Sequence, residues 1–146
     1  MGLFSSLFKP RPKAACETPI GLFTLTYSKG NNNLWSTNNG EVLLSVKGSA
    51  TQPDVNQLKF LETYQAEIDK LDARITRRFI DEFEEAGIPA DFIAWNERFK
   101  IVAIEVMLLF NHEAYWNITF EELKTPYTHF TLYIEGERLT DFSIDT

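Results

Sequence analysis

An apolar stripe in residues 51–87, TQPDVNQLKFLETYQAEIDKLDARITRRFIDEFEEAG, constrains the fold of this chain more than any other feature. Leu58, Leu61, Tyr64, Ile68, Leu71, Ile75, Phe79, Phe83 and Ala86 recur at steps of three and four. On a helix of 3.6 residues per turn such steps fall on one face. Lys59, Glu62, Glu67, Asp69, Lys70, Asp72, Arg74, Arg77 and Arg78 stand between them and make a solvated face. The spacing therefore predicts one long amphipathic helix. Thr51 and Asp54 fit a capping box at its start, with Pro53 in the first turn. Gly87 suits a left-handed C-cap, and Pro89 stops any continuation. At 1.5 Å per residue the rod is about 50 Å long, so it needs something broad to lie on. A break in the helix, if there is one, is expected near Arg77 and Arg78, where Ile80 falls off the stripe.

The flanking segments supply a sheet. Residues 21–27 alternate, with Phe23, Leu25 and Tyr27 on one face. The run Lys29-Gly30-Asn31-Asn32-Asn33 is a turn by composition, residues 34–37 make a short strand, and Asn39-Gly40 is a hairpin signal. Residues 41–47 point Val42, Leu44 and Val46 inward. Beyond the helix, Phe92, Trp95 and Phe99 are three and four apart, which predicts a short second helix over residues 89–98. KIVAIEVMLLF, residues 100–110, carries one charge after Lys100, Glu105, and reads as a central strand. Strands follow at 115–121, 128–135 and 140–144, with Trp116, Ile118, Phe120, Phe130, Leu132 and Ile134 inward. Their other face carries Tyr115, Asn117, Thr119, Glu121, Thr131, Tyr133 and Glu135, polar enough to meet water. The expected fold class is α+β: a single antiparallel sheet of about six or seven strands, one long helix packed across one face, and a short second helix. The core pairing expected is Leu61, Ile68, Leu71, Ile75 and Phe79 against Val102, Ile104, Val106, Phe130 and Leu132. A chain of 146 residues suffices for one domain, which the pattern places at residues 18–146 after a flexible N-terminal tail at 1–17.

In that tail Leu3, Phe4, Leu7 and Phe8 would gather on one side of a two-turn helix, and KPRPK follows as an extended spacer. Two readings stay open. The apolar turn docks on its own domain, or it tethers a peripheral-membrane accessory protein, with residues 1–13 as the one route to a membrane. Met1-Gly2 followed by Ser6 formally matches a myristoylation pattern. The segment is short for a secretory signal and has no basic start, so the expected compartment is the cytoplasm.

The net charge of −7 is unevenly spread. Residues 1–13 hold Lys9, Arg11 and Lys13 and no acid, so the remaining chain, with eleven basic and 21 acidic residues, carries −10. Such a body repels nucleic-acid phosphates and suits a basic protein partner or simple solubility. No phosphate-binding loop, dinucleotide fingerprint, zinc-protease motif, nucleophile elbow or calcium loop is present in the sequence. The single cysteine, Cys16, stands beside the Pro-rich tail without a fixed base. His112 and His129 would lie about 20 Å apart, at opposite ends of one strand, too far to share a metal. No catalytic residue, metal or cofactor is expected. The candidate partner-binding residues are Asp81, Glu82, Glu84 and Glu85, whose charges oppose the helix dipole, followed by Tyr115 and Tyr133 on the open face. An enzyme with a diffuse carboxylate site is the remaining alternative.

The closing third, an apolar strand, then WNITF, then THFTLYIEGERLTDFSID, resembles the last strands of small bacterial α+β domains of unknown function. Gly21, Phe23, Trp35 and Gly40 match the layout of their N-terminal part. The resemblance spans about residues 18–146. These domains are similar in size and layout to immunity proteins of bacterial contact-dependent toxins. It implies a non-enzymatic cytoplasmic protein-binding domain, an immunity-type inhibitor of a basic toxin, and it assigns no functional residue.

Overall fold

The computed structural model describes residues 14–111 and 113–146. Eight strands form one sheet in chain order: β1 (Ala15–Thr18), β2 (Gly21–Lys29), β3 (Asn32–Asn39), β4 (Val42–Lys47), β5 (Phe99–Phe110), β6 (Glu113–Glu122), β7 (His129–Glu135) and β8 (Arg138–Asp145). Two helices, α1 (Val55–Glu62) and α2 (Tyr64–Glu85), join β4 to β5. The class is α+β as expected, with eight strands in place of six or seven. The added strand is β1, three of whose four residues fall in the stretch read as tail; it pairs antiparallel with β2, Cys16 opposite Phe23. The sheet is also not wholly antiparallel. The β4–β5 pair is parallel, with Leu43 opposite Ala103 and Ser45 opposite Glu105. A helical crossover carries the chain back to the end where β4 began, so β5 must start in the same direction.

The long helix is two helices. It breaks at Thr63 rather than near Arg77, and Thr63 leaves helical geometry at φ −118° and ψ 14°. Its backbone N–H donates to Phe60 O at 3.0 Å, and its hydroxyl donates to the same carbonyl at 3.1 Å. A threonine side chain that bonds a carbonyl one turn back loosens the helical ladder. The apolar stripe survives the break: Leu58 and Leu61 on α1 and Tyr64, Ile68, Leu71, Ile75, Phe79 and Phe83 on α2 are all buried, whereas Ala86 is exposed.

The helix start is set by Asp54, not by Thr51. Asp54 Oδ1 accepts the Gln57 N–H at 2.9 Å, and Gln57 Oε1 accepts the Lys47 N–H at 2.8 Å, which fastens α1 to the end of β4. Thr51 instead pairs its hydroxyl with that of Ser49 at 3.1 Å. The far end is as the sequence foretells. Gly87 sits at φ +72°, its N–H bonds Glu84 O at 3.1 Å, and the Ile88 N–H bonds Phe83 O at 2.8 Å. That pair of bonds is a Schellman stop.

The expected second helix shrinks to one 3₁₀ turn, Trp95–Glu97. Side chains hold this segment in place of a helical ladder. Glu97 Oε2 accepts the Ile93 and Ala94 N–H groups at 2.6 and 2.7 Å. Trp95 Nε1 donates to Asp72 Oδ1 on α2 at 2.7 Å. Arg98 bonds Glu122 at 2.9 Å and Asp91 at 2.7 Å, with its guanidinium 4.9 Å from the Phe83 ring centre. The Ala94 and then the Ile93 donor hold the Glu97 carboxyl below its ordinary 4.5. Its hold on the segment is thus present above 4.5 and lost as pH falls through the depressed value.

Helix α2 packs an aromatic core against the sheet. Phe79, fully buried, stacks on Phe99 at 4.2 Å and meets Phe120, Phe130 and Phe142 edge-on at 5.1, 5.7 and 5.5 Å. The expected partners Ile104, Val106, Phe130 and Leu132 are buried, but Val102 is only half-buried. β5 bulges between Ile101 and Ala103, which turns Val102 out of the alternation.

Leu71→Ala is expected to lose about 2–5 kcal/mol of stability, and Phe79→Ala about 3–5, through lost burial plus a cavity. Urea denaturation measures both. A loss under about 0.5 kcal/mol for Leu71→Ala would mean that the stripe is not the core.

Candidate functional site

The helices cover one face of the sheet and leave the other uncovered. Alternation puts the side chains between the core residues onto that second face. The pairings align Thr24, Ser36, Ser45, Glu105, Asn117, Tyr133 and Asp141 in one row across seven strands. Within that row the Ser36 and Ser45 hydroxyls are 2.8 Å apart, Asn117 Nδ2 donates to Glu105 Oε2 at 3.2 Å, and Lys47 Nζ lies 3.6 Å from Glu105 Oε1. The result is a polar belt with its hydrogen bonds already made. Ser36, Ser45 and Asn117 are nearly inaccessible, because small side chains between longer ones are sheltered even on an open face. Among the described residues no buried side-chain nitrogen or oxygen lacks a partner.

Apolar side chains rim the belt at both ends. Beside the β3–β4 turn, Leu22 and Leu43 are 49% and 40% exposed. With Thr24, Thr26, Ser36 and Asn38 they line a shallow hollow of about 460 Å³. At the other end stand Tyr27 (47%), Met107 (42%), Leu108 (51%) and Phe110 (61%). Leu108 joins Met107 on this face because β5 bulges a second time, between Val106 and Leu108. The sequence reading missed them: it took residues 100–110 as one regular strand. The signal was available, since VMLLF is apolar for longer than one face of an alternating strand requires.

Tyr115 and Tyr133 lie on this face as expected, both half-buried. The Tyr115 hydroxyl donates to Glu135 Oε1 at 3.1 Å, and Arg138 caps the same carboxylate at 3.2 Å. Glu135 raises the Tyr115 phenol above its ordinary 10.0, first by that hydrogen bond and then by its charge. His129 stands at the belt's other margin. Its Nε2 lies 3.1 Å from Glu121 Oε2, and Lys100 Nζ is 3.6 Å from Glu121 Oε1. His112 lies outside the described residues. Cys16 is half-buried on the edge strand β1.

The acidic helix end is on the opposite layer, so the two groups of candidate residues do not form one surface. Asp81 is 3.0 Å from Arg77 and Glu82 is 2.8 Å from Arg78, each one turn back. Glu84 and Glu85 are exposed. Half of the acidic run is therefore locally balanced, as i,i+4 pairs allow. The membrane-tether candidates Leu3, Phe4, Leu7 and Phe8 lie outside the described residues. Among the described residues no group of three or more His, Cys, Asp or Glu could hold a metal ion, and no helix is long and apolar enough to cross a membrane.

Compared with protein-family models, with curated proteins and with solved structures, the chain matches none.

The raised Tyr115 phenol is open to titration by absorbance near the tyrosinate band. One tyrosine should ionise above 10.0, and Glu135→Gln should bring it back toward that value. Because the folded value is raised, the stability this bond adds is full below 10.0 and is lost as pH climbs through the raised value. Identical titration curves for the two proteins would mean that the bond does not form in solution.

Proposed function

We propose that this chain is a non-enzymatic protein-binding domain whose uncovered sheet face receives a basic protein, in the manner of an immunity-type inhibitor. The observation that carries the reading is the apolar rim around a pre-satisfied polar belt. Exposed Leu, Met, Tyr and Phe side chains grouped on one face are what protein interfaces use, and isolated solvated faces avoid them. The belt adds rows of hydroxyls, an amide and one Lys–Glu pair, which can exchange bonds with a partner at low desolvation cost. Charge fits the same reading, since the chain beyond residue 13 carries −10 and draws a cationic partner. The resemblance in layout to toxin-immunity proteins gives the partner its class. Glu84 and Glu85, on the helix layer, lend the acidic field that steers approach rather than the contact itself.

Affinity capture from a lysate of the source organism should enrich a basic protein on the wild-type chain. A Leu43→Asp/Tyr133→Asp variant with unchanged circular dichroism should lose it. Equal capture by both proteins, or enrichment of nothing basic, rejects the face. With the captured partner in hand, Glu84→Gln/Glu85→Gln should slow association at low salt and leave dissociation unchanged. An unaltered association rate would remove the helix end from the encounter.

A further inference from the structure

The sheet ends on two strands of unequal length: β1 has four residues and β8 has eight. β8 pairs with β7, and among the described residues no strand lies along its other side. Beyond a bulge that skips Thr140, residues 141–145 run in regular register against residues 129–133. Two hydrogen bonds tell which backbone groups face out. The Thr140 hydroxyl donates to Tyr133 O at 3.2 Å, so Tyr133 turns its carbonyl toward β8. The Phe142 N–H donates to Asp141 Oδ1, a side chain of its own strand, at 2.8 Å. Backbone groups alternate in direction along a strand, so the N–H and C=O groups of Phe142 and Ile144 point out of the sheet edge.

The side chains of this edge are sorted by face. Phe142 and Ile144 stand on the helix side, opposite Leu132 and Phe130, and Ile144 is 54% exposed. Asp141, Ser143 and Asp145 stand on the uncovered face, and both carboxylates are exposed. On the helix side Arg74 Nη1 donates to Glu137 O at 2.7 Å, at the turn into β8, and Arg78 follows one turn later on the same flank of α2. The edge thus offers apolar surface flanked by arginines on one side and negative charge on the other. A second copy of the chain fits it poorly. Antiparallel pairing of β8 with itself about Ser143 sets Asp141 against Asp145 twice, and like charges directly opposite one another destabilise a strand pair.

We propose that the free edge of β8 is an interaction surface for an extended segment of another protein, with basic residues at alternate positions and apolar residues between them. The segment adds a strand to the sheet, bonded through its main chain to Phe142 and Ile144. Its apolar residues cover Phe142 and Ile144, and its basic residues lie beside Asp141 and Asp145. Asp141 makes the edge selective. Its carboxylate occupies the Phe142 N–H, a guard of the kind that keeps exposed edges from pairing at random. A lysine or arginine on the incoming strand draws that carboxylate off the amide, whereas a neutral strand must break the charge-assisted bond without return. This edge is separate from the apolar rim, and its use does not depend on a partner bound there.

Synthetic peptides test this with the full chain and no natural partner. The probe is a short peptide alternating lysine and valine, labelled for fluorescence anisotropy, with its glutamate–valine counterpart as control. The lysine peptide should bind at least about tenfold more tightly than the glutamate peptide. Asp141→Asn/Asp145→Asn should erase that preference. Amide exchange at Phe142 and Ile144 should slow when the lysine peptide binds. Only one edge of the added strand faces β8, so N-methylation of one alternate set of peptide amides should abolish binding, and methylation of the other set should spare it. Ile144→Pro removes an N–H that β7 does not use and should also abolish binding, with circular dichroism unchanged; if that variant misfolds, the methylated peptides decide. Equal binding of the two peptides, or of the lysine peptide to wild type and double variant, overturns the proposal, because attraction to the acidic body as a whole then accounts for it. So does methylation that matters at both sets or at neither. Failure here leaves the partner-capture experiment to stand or fall on its own result.

Discussion

Helix α2 is held to the sheet by a ring that four strands share. Phe79 stacks on a phenylalanine of β5 and takes edge contacts from phenylalanines of β6, β7 and β8. Aromatic rings favour offset and edge-on approach, so this arrangement fixes angle as well as distance. A helix held by such a cluster cannot slide or roll by one residue without disturbing its contacts to all four of these strands at once. Seven phenylalanines among the described residues are buried, and Phe60 and Phe142 pack against them. Their rigid rings fill a core without the rotamer freedom that methionine would bring. Because one face of the sheet satisfies the whole packing requirement, the other face is left free of it.

Much of this arrangement was legible in the sequence, and the misreadings have local physical causes. The stripe from Leu58 to Phe83 gave the helical layer, and alternation from Trp116 to Ile134 gave the two faces of β6 and β7. What escaped were features with weak periodicity. The ends of β3, beyond the expected residues 34–37, hide among asparagines, one of which, Asn33, is buried by bonding Ser28 at 2.6 Å and the Gly48 carbonyl at 3.3 Å. The break at Thr63 depends on one hydroxyl and leaves the stripe in phase, so spacing cannot reveal it. The segment before β5 met the helical spacing of Phe92, Trp95 and Phe99, yet Glu97 ties down the N–H groups just before the turn, and Trp95 and Arg98 bond Asp72 and Glu122, partners remote in sequence.

The uncovered face teaches a related lesson. Its polar half was legible, because Tyr115 through Glu135 alternate cleanly. Its apolar rim was not, because two bulges in β5 shift the parity of an otherwise regular strand. Each bulge turns an apolar residue that would have joined the core, Val102 or Leu108, out of register. The same device thus removes a side chain from packing and presents one to solvent. A face that looks merely hydrophilic in sequence acquires hydrophobic edges once the backbone is known.

The single parallel pair divides the chain into two meanders, β1–β4 and β5–β8, each closed by short turns. Contacts inside a meander join residues near in sequence, and such contacts form early because little loop entropy opposes them. Leu43 and Ala103, by contrast, meet across some 60 residues. The strand pair at the centre of the sheet is therefore the one whose closure the chain must wait for, and the crossover helices have to find the second meander before it can form. Until then each half exposes the edge that will become the seam, so the slowest step of folding and the hazard of mispairing between copies reside in the same place.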